Sequence, residues 1–122
     1  MEAGVTAAGL LRDRVTFQRL VPGDDGYGNT VSDWANMERA PGKPLTVWAE
    51  VRVTLGRERV AAGRIEASRT ATIRIRASSE VASLTEADRV IAQGQVWNIR
   101  GIAPAGNDRE LLELLVEGGV AT

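Results

Sequence analysis

The sequence predicts a small, mostly β domain, either a barrel or a sandwich. Two observations carry that expectation. Short runs of residues alternate apolar and polar side chains with a period of two, and clusters of turn formers separate them at short intervals. With 122 residues the chain fits one compact domain with a modest core, which a partner would help to stabilise.

The elements follow in order. Residues 1–9 form an N-terminal arm ahead of a domain at 10–122, since Gly4 and Gly9 weaken any helix there. Val15 and Phe17 alternate with Arg14, Thr16 and Gln18, a half-buried strand. The stretch from Pro22 to Asn29 is rich in Gly and Asp and reads as a turn, with a returning strand over Thr30–Trp34. Ala40 to Pro44 is a loop, because each proline withholds a donor. Thr46 to Val53 is a strand with Val47, Ala49, Val51 and Val53 on one face. Its other face carries Thr46, Trp48, Glu50 and Arg52, so Trp48 must cover something or meet a partner.

Leu55 to Ala67 breaks the alternation. Val60, Ala61 and Ile65 make a weak helical stripe, and a long connection with about two helical turns is expected. Thr70 to Arg76 alternates again, with Ala71, Ile73 and Ile75 inward. Ser79 to Asp88 is a polar loop, and Gln93-Gly94 closes a hairpin between Val90–Ala92 and Gln95–Ile102. Ala103 to Asp108 turns. Arg109 to Glu117 fits a helix through Leu111, Leu112, Leu115 and Val116, and fits a strand through Leu112, Leu114 and Val116.

Composition narrows the chemistry. There is no His and no Cys, so Ser-His-Asp and Cys-His catalysis, disulfides and thiolate metal sites are excluded. No nucleophile has a base beside it in sequence, and no catalytic, cofactor-binding or metal-binding residue is assigned. Asp24-Asp25-Gly26 lacks the ligand series of a calcium loop, and Gly26-Tyr27-Gly28 is followed by no Lys-Ser/Thr of a phosphate loop. No apolar run nears the ~20 residues of a membrane span. No signal peptide is recognised, so cytoplasmic synthesis and no membrane partner are expected.

Net charge is −1 but unevenly spread. Residues 50–76 hold seven Arg against three Glu, and residues 77–122 three Arg against seven acids. Two solvated faces explain this, as would complementary edges meeting between identical subunits. A nucleic-acid-binding barrel of the OB type is the rival reading. Trp48, Arg52, Arg74 and Arg76 would then form its stacking surface.

The order of motifs resembles the head–tail joining (head closure, or stopper) proteins of tailed phages. Leu11-Arg12-Asp13-Arg14-Val15-Thr16-Phe17-Gln18-Arg19 is similar to their opening, and Asp25-Gly26-Tyr27-Gly28-Asn29 to their hairpin turn. Val47-Trp48-Ala49-Glu50-Val51, Gly56-Arg57-Glu58 and Thr72-Ile73-Arg74-Ile75-Arg76 follow in the family's order. Asp88-Arg89-Val90 with Gly94 to Ile99, and Arg109-Glu110-Leu111-Leu112, complete the series. The extra residues 1–9 and the longer connection from Glu38 to Leu45 depart from the pattern.

The resemblance implies a β-barrel of about six strands with a long, partly helical excursion between the third and fourth. The last segment is then a strand. It also implies a ring, usually twelvefold, that joins portal and adaptor above to tail terminator or tail proteins below. Such a ring belongs to the virion of a phage, a prophage or a gene transfer particle, closes the filled head and passes double-stranded DNA without reading its sequence. The excursion, with Arg57, Glu58, Arg59, Arg64, Glu66 and Arg69, is expected to face and gate the channel. Trp48, Arg52, Arg74 and Arg76 are expected at a subunit or partner interface.

Overall fold

A computed structural model describes residues 11–24, 26–61, 64–105 and 108–118. The expected arm at 1–9 lies outside them. All regular structure in the described residues is β.

Strands β1 (Asp13–Asp24) and β2 (Thr30–Asn36) form the first hairpin. A miniature hairpin, β3 (Glu38–Ala40) and β4 (Lys43–Pro44), turns through Pro41 and Gly42. The positive φ of Gly42 after a proline is the pairing a type II turn requires. Then come β5 (Thr46–Ala61), β6 (Arg64–Arg76), β7 (Arg89–Ala92), β8 (Gln95–Ala105) and β9 (Asp108–Gly118). The sheet runs β2-β1-β5-β6-β9-β8-β7, and β7 pairs back onto β1. Six strands thus close into a barrel, with β2 attached outside it. Closure removes free sheet edges from the barrel itself.

The period-two pattern decides what is inside. Val15 and Phe17 of β1, Ala49 of β5, and Ala71, Ile73 and Ile75 of β6 are buried, as expected. Val90, Ala92, Trp97, Ile99, Leu114 and Val116 complete the lining. The segment Ser79–Asp88, expected as a polar loop, also contributes Val81 and Leu84 to the core. The connection at 38–45 has a packing role too. Leu45 N–H donates to the Met37 carbonyl at 2.6 Å, which loops out β3–β4 and returns Leu45 to the core.

The excursion formed by the outer parts of β5 and β6 corrects the sequence expectation: the described residues between Leu55 and Ala67 are strand, with no helical turn among them. β5 and β6 stay paired out to Ala61 opposite Arg64. The alternation breaks because the register shifts between Leu55 and Glu58: Gly56 and Arg57 oppose the single residue Ser68. That is a two-against-one bulge, and it moves the strand's phase by one residue. Val53, expected inside, is 42% exposed because β5 has by then run beyond its pairing with β1. The last segment is a strand, fully registered with β6 from Arg69–Gly118 to Arg76–Leu111.

Gln93 and Gly94 both have positive φ, which a two-residue I′ turn between right-twisted strands requires. Just beyond, Trp97 is 1% exposed, and its Nε1–H donates to the Ala92 carbonyl at 3.2 Å. A Cβ at Gly118 would lie 3.0 Å from the indole, a tight contact that would press on the ring. Trp97→Ala is therefore expected to cost about 3–5 kcal/mol in urea denaturation. Leu115→Ala, at a 53% exposed site, is expected to change stability by no more than about 0.5 kcal/mol.

Candidate functional site

The outer face of β5, β6 and β9 collects the side chains that alternation turns outward. Cross-strand register sets Glu50 opposite Arg74, and Arg74 opposite Glu113. Arg52 Nε lies 3.2 Å from Glu50 Oε2, Arg74 Nη1 4.0 Å from Glu50 Oε1, and Arg74 Nε 3.1 Å from Glu113 Oε2. The result is a chain of alternating charge across three strands. Arg100 and Glu117 add a further pair at 3.1 Å. Two of the predicted interface arginines, Arg52 and Arg74, are thus held by the domain's own carboxylates.

Trp48 and Arg76 behave differently. Trp48 is 52% exposed, and the guanidinium of its registered neighbour Arg14 stands 4.8 Å over its ring. Both residues line a groove of about 260 Å³ with Arg14, Thr46, Arg39 and Glu80. The structure therefore places Trp48 and Arg76 in one groove, whereas Arg52 and Arg74 are paired with carboxylates.

Of the predicted gating residues, Arg69 is half-buried at the base of the β5–β6 hairpin, opposite Leu55 and Gly118. Arg57, Glu58, Arg59, Arg64 and Glu66 lie along that hairpin's backbone, with Arg59 registered against Glu66 and Arg64 against Ala61. Their side chains are outside the described residues.

A second polar system escaped sequence reasoning. Asp88 is 2% exposed. Its carboxylate takes two hydrogen bonds from Arg19, from Nε and Nη2, both at 2.9 Å, and one from the Thr85 backbone N–H at 2.9 Å. Arg19 Nη2 also donates to the Ser83 carbonyl at 2.7 Å. Burial alone would push the Asp88 carboxyl up. The Arg19 hydrogen bonds, the Thr85 N–H and the Arg19 charge outweigh it and hold the group below its ordinary value. Beside this clamp, Arg89 stacks 4.3 Å over Trp34 and donates to Gln18 Oε1 at 2.8 Å, and Gln18 Nε2 donates to Asn36 Oδ1 at 2.9 Å. Arg39 makes a bidentate pair with Glu80. These contacts fasten the β1–β2 arm and the 77–88 segment to the barrel wall. The one local signal was the Thr85–Asp88 spacing, which suits a side chain that folds back on its own turn.

Among the described residues no three Asp or Glu side chains gather as a metal site needs. A single-strand-binding platform needs stacked, open aromatics beside free cations. Here Arg89 covers Trp34 and carboxylates hold Arg52 and Arg74, so this face offers one half-exposed ring, Trp48 beside Arg14, and not a stacked series.

Fold and surface define a small closed β-barrel with a charged outer face and a groove beside Trp48. The family model described as phage head completion protein matches residues 6–119, so the chain belongs to that family, a virion component of the phage head. No curated protein matches it. Among solved structures it resembles a chain of the virion of a native gene transfer agent particle. The TM-score is 0.59 at 24% identity, over 89% of this chain and 94% of that one. It is also similar to protein SF1141 from Shigella flexneri 2a, solved in solution. There the TM-score is 0.59 at 25% identity, over 93% of this chain and 97% of that one. The resemblance read from the motif order is thus the family the chain belongs to.

The Asp88 clamp sets a pH dependence. Its folded pKa is lowered, so its contribution to stability is full well above the unfolded value near 3.8 and is lost as pH falls through the folded value. Denaturant midpoints measured from pH 7 down to pH 3 should fall more steeply for the wild type than for Asp88→Asn. At pH 7 that variant is expected to be about 1.5–3 kcal/mol less stable, the range for a lost hydrogen bond to a charged group.

Proposed function

We propose that the chain is one subunit of a connector ring that closes the DNA-filled head and offers the tail its docking platform. The observation that carries this reading is the free-standing β5–β6 hairpin. β6 meets β9 only from Arg69 to Arg76, and β5 meets β1 only from Thr46 to Ala49. Beyond those rungs, among the described residues, the two strands pair only with each other, for roughly 20 Å at the rise of a β-strand. A rigid barrel with one long finger suits a ring whose wall is the barrels and whose channel is narrowed by the fingers.

Charge agrees with that mechanical role. The finger, residues 54–69, carries four Arg and two Glu by sequence, a mild positive excess. Strong phosphate binding would oppose later release of the genome, and the mixed charge avoids it. The partners are other copies, the portal and adaptor above, and the tail terminator or tail proteins below. Double-stranded DNA passes the finger without sequence readout.

The test uses heads that carry portal and adaptor but lack this subunit. Wild-type protein added to them should form a ring by electron microscopy and render the packaged genome resistant to nuclease. A variant with residues 57–66 replaced by Asn-Gly keeps every rung that the barrel shares. It should still form the ring, but nuclease resistance should drop to the level of heads given no protein. Full retention with the shortened finger would overturn the gating role, and failure of the wild type to join heads would overturn the ring.

A further inference from the structure

The groove beside Trp48 and the outer half of the β1–β2 hairpin carry opposite characters. Neither Arg14 nor Arg76 of the groove has a carboxylate partner among the described residues, and both are exposed. Arg39 faces Glu80, so the groove keeps a net positive charge beside the half-exposed Trp48 ring.

The hairpin is its complement. Residues 20–37 contain three Asp and no Lys or Arg. Among the described residues β1 pairs only with β2 beyond Gln18; Arg19 and Trp34 tie the base of the ribbon to the barrel wall, and Val21 and Val31 further out are exposed. Register places Val21 beside Asp33 and Gly23 beside Val31 on one face. Val21 is 39% and Val31 45% exposed, and Asp33 is exposed. A protruding ribbon with two exposed valines and a carboxylate fits an apolar groove rimmed by unpaired arginines.

We propose that the Val21–Val31–Asp33 face of one copy docks in the Arg14–Trp48–Arg76 groove of the next copy. The inference rests on the ring reading above and gives that ring its contact. The two surfaces are different parts of the chain, so the contact is head-to-tail, the kind that closes into a cycle rather than a two-fold dimer. The Arg14 and Arg76 guanidiniums lie where they can meet Asp33, and the Trp48 ring offers apolar area to the two valines.

Charge reversal on heads lacking this subunit tests it. Arg76→Glu and Asp33→Lys change exposed residues and should leave the thermal midpoint of the free protein unchanged. Each alone should cut ring occupancy roughly tenfold or more, and the double variant should restore it. Because the chain has no Cys, a second readout is available. Ser78 also lines the groove, so Val31→Cys copies mixed with Ser78→Cys copies should give dimers with a short bismaleimide that neither population gives alone. Single reversals that assemble like the wild type, a double variant that fails to recover, or no mixed dimers would overturn this contact while the wild-type ring stands. A wild type that never forms a ring would overturn both.

Discussion

Strand β1 is bonded on both edges, and the architecture depends on that. Residues 13–16 pair with β5, residues 16–18 with β7, and residues 18–24 with β2. Pairing with β5 and β7 closes the barrel, and the switch to β2 launches an arm from it. Val15 and Phe17, both fully buried, sit at the closing rungs and tie the closure to the core. The Asp88–Arg19 clamp then fixes where β1 leaves the wall. A sheltered carboxylate with three donors on it is costly to misplace, because a lost partner leaves buried charge unsatisfied.

Two appendages follow from the same logic. The β1–β2 arm and the β5–β6 finger are the places where strands outlast their barrel partners. A strand that stays paired beyond the wall keeps its backbone hydrogen bonds while exposing side chains that a monomer does not use. Val53 and Val31 illustrate this: alternation marks them as strand residues, yet both stay exposed. A small barrel with a modest core and two such extensions is suited to sharing its surface with neighbours, as a head completion protein must.

The barrel was legible in the sequence because its strands obey a strict period of two. Ala71, Ile73 and Ile75, and the Gln93-Gly94 turn, are read directly from that rule and from turn chemistry. The finger was not legible as a strand, since one bulge at Gly56-Arg57 shifts the phase and imitates a weak helical stripe. Trp48 announced itself by lying on a polar face, and Arg14, its cover, is a cross-strand neighbour that only register reveals. The clamp was hidden for a similar reason. Arg19 and Asp88 stand 69 residues apart, and no local pattern links them. Composition alone could not separate Arg52 and Arg74, neutralised at home, from Arg14 and Arg76, left open.

In the proposed ring these barrels stand side by side around a channel with their fingers inward. A cryo-electron microscopy reconstruction of the isolated portal vertex would resolve this arrangement. It should show a symmetric ring of this chain, each barrel contacting two neighbours through unlike surfaces, with the β5–β6 hairpins converging on the axis. A vertex in which the chain is a single copy, or in which the hairpins point away from the axis, would contradict it.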